Sequence, residues 1–301
     1  VTVLITGGTG FLGAWVARCL QAGGHAVRVL DRNADRSMLA AILGEAAVPD
    51  CIVADITDGE AVAAAAAGCD SIVHLAAMLT PACQADPPRG AAVNLGGTLA
   101  VFEAARRHGI RQVAYASSAA VYGPEGGTPR PDTHYGAFKL ACELSARVYW
   151  LEHRVASVGL RPLVIYGPGR EVGSTAGLSI ACRKAASGEP YTIPFTGATD
   201  AIYVDDVAAA FAAAATRPPD GTHVLNLRGE VVDVAEVIAI LTAMFPKAVL
   251  DAAGPPVPIA PELPRSDVEA VLGSLPRTTL REGLAQTTRF RGGSVSQEST
   301  A

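Results

Sequence analysis

Along the first half of the chain, short β-branched and apolar runs alternate with longer stretches of helical character. The runs fall at residues 3–5, 27–30, 52–54, 72–75 and 113–116, and the expected helices at 11–21, 60–67 and 91–108. Strands alternating with helices predict βαβ units and a parallel sheet covered on both faces. The runs are continuously apolar rather than alternating, as strands buried on both sides require. Right-handed crossovers wind such units into a doubly wound sheet of the Rossmann type, so the expected fold class is α/β.

Beyond Leu160 the alternation weakens and Gly/Pro punctuation rises. Helices are expected at 179–187 and 234–245, bracketed by Pro-containing connections at 218–221 and 254–264. The longest hydrophobic stretch, 207–215, is alanine-rich and too short for a membrane span, so it is read as a packed helix. The expected organisation is a nucleotide-binding Rossmann domain over 1–161 plus about 200–228. A smaller α/β substrate domain, over 162–199 plus 229–290, interleaves with it. Residues 291–301, rich in Gly, Ser, Thr and Gln, are expected to form a flexible tail.

Composition narrows the function classes. The 301 residues are 50% hydrophobic and 18% charged, which excludes a disordered or fibrous chain and allows a sizeable core. The net charge of −5, with acidic residues spread along the chain, offers no phosphate backbone or anionic membrane a partner surface. A small molecule is the expected partner. The six scattered cysteines, with no Cys-x-x-Cys, read as reduced and mostly buried thiols. With no charged segment ahead of Val1-Thr2-Val3-Leu4-Ile5, no signal peptide is read, and a soluble, cytoplasmic protein is expected.

Thr6-Gly7-Gly8-Thr9-Gly10-Phe11-Leu12-Gly13 follows the first strand directly and opens the first helix. Glycines there permit a tight turn and a close approach of the backbone to a pyrophosphate, with unserved helix N–H groups pointing at it. Asp31 ends the second strand, eighteen residues after Gly13. A carboxylate at that place accepts ribose hydroxyls and repels a 2′-phosphate, which favours NAD; Arg32 beside it leaves NADP open. Asp55 ends the third strand. Thr57-Asp58-Gly59-Glu60 already supplies a capping-box pattern, which leaves Asp55 free for the adenine.

Tyr135 and Lys139 are one turn apart on one helix face, and an ammonium beside a phenol favours the phenolate of a general base. With seven Tyr and three Lys in the chain, a Tyr-x-x-x-Lys is expected by chance only roughly 0.07 times. Upstream, Tyr115-Ala116-Ser117-Ser118-Ala119-Ala120-Val121-Tyr122-Gly123 runs off a strand into a turn, at the sheet edge where ligands of such folds bind. A hydroxyl there can donate to a substrate oxygen, although a serine pair by itself is more often turn chemistry.

Together these motifs resemble the extended short-chain dehydrogenase/reductase family, also called the NAD-dependent epimerase/dehydratase family, over nearly the whole chain. The resemblance includes His74-Leu75-Ala76-Ala77, Asn94-Leu95-Gly96-Gly97-Thr98, Leu160-Arg161-Pro162, Tyr166-Gly167-Pro168-Gly169, Tyr203-Val204-Asp205-Asp206-Val207 and Leu280-Arg281-Glu282-Gly283-Leu284. It implies that Tyr135 is the general acid/base, that Lys139 binds the nicotinamide ribose, and that Ser118 rather than Ser117 polarises the substrate oxygen. Gly7, Gly10, Phe11, Leu12, Gly13, Asp31, Arg32, Asp55, Ile56, Leu75, Ala76 and Ala77 would join Tyr135 and Lys139 in binding the cofactor. His74 is read as structural, Asp205 and Asp206 as a helix N-cap and an inter-domain bonding point, and Asn94 as a helix-start residue. The segment 81–90 lies where a substrate-covering loop would be. Relatives of this kind pair through two helices, so a homodimer through the helix bearing Tyr135 and Cys142 is expected.

Two departures bear on the reaction. Val164 stands where nucleotide-sugar members of the family carry Asn, and Thr196-Gly197-Ala198-Thr199-Asp200-Ala201-Ile202 lacks their Arg. The diphosphate clamp is incomplete. The expected activity is therefore NAD-dependent oxidation of a secondary alcohol such as a hydroxy acid or sugar acid. Arg170, Ser174 and Thr175 begin the substrate segment, and Arg170 is equally readable as a solvated loop residue. The alternative is a nucleotide-sugar epimerase or dehydratase; a non-catalytic nucleotide sensor is the reading from another class.

Overall fold

The computed structural model describes residues 1–217 and 219–290. The tail expected at 291–301, and Pro218 of the connection at 218–221, lie outside the described residues. The first half of the chain runs β1 (Thr2–Thr6), α1 (Phe11–Ala22), β2 (Ala26–Asp31), α2 (Ser37–Leu43), β3 (Asp50–Val53), α3 (Gly59–Ala66) and β4 (Ser71–His74). Then come α4 (Thr80–Ala85), α5 (Pro87–Ala91), α6 (Gly97–His108), β5 (Gln112–Ala116), α7 (His134–His153) and β6 (Ala156–Arg161). The second half contains β7 (Val164–Tyr166), α8 (Gly177–Ser187), β8 (Tyr191–Ile193), β9 (Ala198–Tyr203), α9 (Val204–Thr216) and β10 (Thr222–Asn226). It ends with β11 (Glu230–Asp233), α10 (Val234–Met244), β12 (Leu250–Ala252), α11 (Val268–Leu272) and α12 (Leu280–Arg289).

Seven strands form one parallel sheet in the order β10-β6-β5-β4-β1-β2-β3. From β1 the chain winds outward through β2 and β3, then returns to the other side at β4. The order therefore reverses between β1 and β4, where Thr6 pairs with His74, and a crevice opens at such a switch point. Alternate side chains of β1 feed two cores. Val3 and Ile5 pack with Trp15 and Phe211 under α1 and α9, while Leu4 packs with Phe102 and Tyr115 under α3 and α6. The alanine-rich stretch at 207–215 is buried within α9, where small side chains allow close approach to α1. Smaller sheets, β11-β9-β7 and β12-β8, complete the second part of the chain. Among the described residues no helix is long and apolar enough to cross a membrane.

Several local expectations need correction. Double burial fails at β3, which among the described residues has β2 as its only strand neighbour, and Val53 is 56% exposed at this edge. The helix expected at 91–108 is interrupted by a π-helical turn, Ala92–Gly96, so Asn94 occupies that turn rather than a helix start. Residues 81–90 form most of α4 and α5 rather than a loop. The capping box at Thr57–Glu60 does not form: Asp58 is the N-cap of α3, accepting the Glu60 and Ala61 N–H groups. Tyr203, not an aspartate, precedes α9; Asp205 pairs with Arg18 at 2.7 Å, and Asp206 accepts from Thr278 across the two parts of the chain.

Candidate active site

The carboxyl ends of β1, β2, β4 and β5 border a crevice with two cavities, both lined by Gly7, Gly10, Leu75, Ala77 and Leu79. At its floor Gly7 adopts φ +73°, and a side chain on it would start 2.6 Å from the Ala76 nitrogen. A Cβ on Gly13 would meet the Gly7 carbonyl oxygen at 2.5 Å. The α1 N-terminus begins at Gly10 with no side-chain cap, so its first N–H groups face the crevice unserved. This loop fits a pyrophosphate because backbone, rather than side chain, lines the approach.

One end of the crevice is a cavity of about 270 Å³, lined among others by Gly7, Gly10, Asp31, Arg32, Asp55, Ile56, Leu75, Ala76 and Ala77. Asp31 accepts the Thr9 and Asn33 N–H groups at 3.2 and 3.0 Å, which orients its carboxylate. Asp55 is less free than its position in the sequence suggests. It accepts the Thr57 N–H and hydroxyl at 2.9 and 2.8 Å and pairs with Arg89 at 2.7 Å. The Thr57 backbone bond is the main reason its carboxyl lies below the usual range, with Arg89 adding to it. Arg89 and Met78 also line this cavity and carry no signal in the sequence; α5 and the segment after β4 bring them there.

At the other end, a cavity of about 320 Å³ gathers Phe11, Leu12, Gly13, Ser118, Tyr135 and Lys139. Thr133 caps α7 through the Gly136 N–H, placing Tyr135 in the first turn. One turn later, buried Lys139 donates to the Ala116 carbonyl at 2.6 Å, its Nζ lying 5.6 Å from the Tyr135 ring centroid. The serine pair splits. Both line this cavity, but Ser117 is buried and donates to Glu143, whereas Ser118 accepts the Ala120 N–H at 3.1 Å.

His74 sits beneath this floor. The Thr98 hydroxyl donates to the Asn94 carbonyl at 2.6 Å, so His74 Nε2 donates to Thr98 Oγ1 at 3.0 Å and Nδ1 accepts from Thr6 at 2.7 Å. Burial, then the Lys139 charge, pushes its imidazole down to about 3. A neutral, doubly bonded ring suits a structural strut between β1, β4 and α6.

Next to Tyr135 lies a smaller cavity of about 150 Å³, lined by Ser118, Tyr135, Leu163, Arg170, Ser174, Thr175, Val257 and Ile259 among others. Arg170 is not a solvated loop residue: its Nη2 donates to Thr175 at 2.9 Å, and its guanidinium lies 5.8 Å from the Phe11 ring centroid. Burial pushes it down to about 10, with Tyr135 opposing. Val257 and Ile259, from the Pro-containing connection, close the cavity; nothing in the pattern of that segment points to the site.

The fold, the glycine loop and the Tyr135–Lys139 helix define a nicotinamide-dependent α/β enzyme. Residues 3–235 match the model of the NAD dependent epimerase/dehydratase family, and the chain belongs to it; NAD is that family's cofactor. The chain is similar to a UDP-glucose 4-epimerase of Mycolicibacterium smegmatis, at 30% identity over 95% of this chain and 97% of that protein. Among solved structures it is similar to the UDP-glucose 4-epimerase of Thermus thermophilus in complex with NAD. The TM-score is 0.79 and the identity 29%, covering 96% of this chain and 98% of that one. It is also similar to MoeE5 in complex with UDP-glucose and NAD, with TM-score 0.83, 27% identity and coverage of 96% and 98%.

Proposed function

We propose that the protein oxidises a secondary hydroxyl of a nucleotide-linked sugar and then returns the hydride, an epimerase-type reaction that regenerates NAD in each turnover. The carrying observation is that Ser118, Tyr135, Lys139 and the glycine loop border one cavity. NAD bound there supplies the hydride acceptor. Ser118 holds the substrate oxygen, and Tyr135 takes its proton as hydride leaves the carbinol carbon, giving a ketone. Hydride return to the opposite face of that ketone, with the proton returning from Tyr135, inverts the centre. Lys139, fixed on Ala116 beside the Tyr135 ring, would bind the nicotinamide ribose. The 4-epimerase relatives favour this substrate class over simple alcohol oxidation, and we place the nucleotide-sugar reading first on that ground.

A second reading, a dehydrogenase of a small hydroxy acid or sugar acid, is favoured by a specific observation. The substrate cavity is only about 150 Å³, below the roughly 300–1,000 Å³ of most small-molecule sites. Denaturing the purified protein and identifying released nucleotide separates the two. Near-stoichiometric NAD supports the epimerase, whereas an empty, weakly binding site supports the dehydrogenase. A nucleotide sensor would keep its biological effect in a Tyr135→Phe variant.

The division into a nucleotide-binding part, built on the seven-stranded sheet, and an interleaved substrate part belongs to the same proposal. So does pairing of two copies through α7, where Leu144, Val148 and Leu151 form an exposed stripe. Sedimentation of the wild type and of Leu144→Glu tests it: a dimer that the variant dissociates supports the pairing, and a monomeric wild type rejects it.

A further inference from the structure

We propose that Arg170, together with Thr175, receives a carboxylate carried by the substrate close to the hydroxyl that Tyr135 deprotonates. The inference rests on the redox reading of Tyr135, and it applies to a nucleotide-linked sugar acid and to a free hydroxy acid alike.

Three observations carry it. First, Arg170 Nε is buried without a hydrogen-bond partner, while Nη2 reaches only the neutral hydroxyl of Thr175. Second, among the described residues no carboxylate pairs with Arg170; the neighbouring Glu171 is committed to Arg183 at 2.9 Å. Third, Arg170 and Tyr135 line the same cavity of about 150 Å³, so an anion on Arg170 lies within a few bonds of the reacting carbon. A half-buried guanidinium whose Nε–H is itself buried and open is costly to the empty protein and is compensated by a ligand that completes the planar fork.

The chemistry selects the anion. A carboxylate is planar, carries one charge and matches the fork. A phosphate dianion would call for a second cation, and Arg170 is the only Lys or Arg among the residues lining this cavity. A purely structural role, stacking on Phe11 and bonding Thr175, leaves Nε unexplained. The cofactor's phosphates are the other anions nearby, because Arg170 also borders the cavity lined by the glycine loop. Its bond to Thr175, which lines only the substrate side of the two, favours the substrate.

The test uses matched pairs that differ in a carboxylate: UDP-glucuronic acid against UDP-glucose, gluconate against sorbitol, and glycerate against glycerol. Binding is measured by calorimetry on the NAD-loaded Tyr135→Phe protein, so that turnover is not needed. At least one acid should bind about tenfold or more tightly than its neutral partner, the scale of a charged hydrogen bond. Adding Arg170→Met should abolish that preference, and Arg170→Lys should restore part of it. Without an anion to meet, the Arg170→Met protein should melt no lower than its parent. No preference in any pair, a preference that survives Arg170→Met, a lowered melting point, or a loss confined to NAD affinity would each overturn the proposal. In parallel, turnover is followed in the wild type both as reduction of NAD and as formation of an epimer. Turnover without an acid preference removes the Arg170 assignment alone, and an acid preference with neither NAD reduction nor epimer formation removes the redox reading alone.

Discussion

Glu143 and Arg161 hold each other at the junction of α7 and β6, with Arg161 Nε donating to Glu143 Oε1 at 2.6 Å. Glu143 stands two turns beyond Tyr135 on the helix face that also carries Lys139, and it accepts the Ser117 hydroxyl as well. Arg161 reaches on to the Tyr122 hydroxyl, which exchanges hydrogen bonds with Asn226 on β10. Helix α7 is thereby tied to the ends of β5, β6 and β10.

The side chains of that pair are only 5% and 11% exposed, so removing one partner strands a buried charge. Glu143→Gln should cost about 3 kcal/mol in urea unfolding. Because Arg161→Met then removes the stranded charge, the double variant should lose less than the two single losses added together.

Tyr135→Phe should lower turnover by about 10²- to 10⁴-fold with NAD binding retained. Ser118→Ala should lower turnover by about 10²-fold with little change in melting temperature. Ser117→Ala should do the reverse, costing about 1 kcal/mol of stability through Glu143 and leaving turnover near that of the wild type. Steady-state kinetics paired with thermal melts separates the neighbouring serines.

Asp31→Asn keeps acceptors for the Thr9 and Asn33 N–H groups and removes the charge. With Arg32 alongside, the variant should shift the ratio of NADP to NAD affinity upward by about tenfold. Titration of both nucleotides by intrinsic fluorescence measures it; an unchanged ratio would place the discriminating group elsewhere.

His74 gives the fold an acid sensitivity of definite sign. Its folded value of about 3 lies below that of the unfolded chain, so protons are taken up on unfolding. Stability is therefore full above roughly pH 6.5 and is lost as pH falls towards 3, at about 1.4 kcal/mol per unit. Between pH 7 and pH 5 the loss from this group should be about 2 kcal/mol. Asp200 and Asp206, whose carboxyls burial holds above the usual range, act in the opposite sense. A His74→Gln variant should isolate the imidazole contribution as a flatter profile between pH 7 and pH 5.

The glycine loop, Asp31 and the Tyr135–Lys139 pair were legible because each depends on local spacing: a strand-to-helix turn, a strand end, one helical turn. The doubly wound sheet was legible for the same reason, since the period of the apolar runs reports which faces are buried. The pairing of Asp55 with Arg89 was not legible because the two lie 34 residues apart in the chain. The break at Asn94 was invisible because a π-helical turn changes the register without changing the residue types.

Sequence alone determined the fold class, the glycine loop that opens the first helix and the placing of Tyr135 and Lys139 one turn apart, all consequences of backbone periodicity and short-range sterics. Tertiary structure decided which serine is tied to Glu143, how far Arg170 is enclosed, and that residues 257–259 line the cavity beside Tyr135. Those outcomes depend on contacts between segments far apart in the chain, and the charge state and exposure of a side chain follow from what is packed around it.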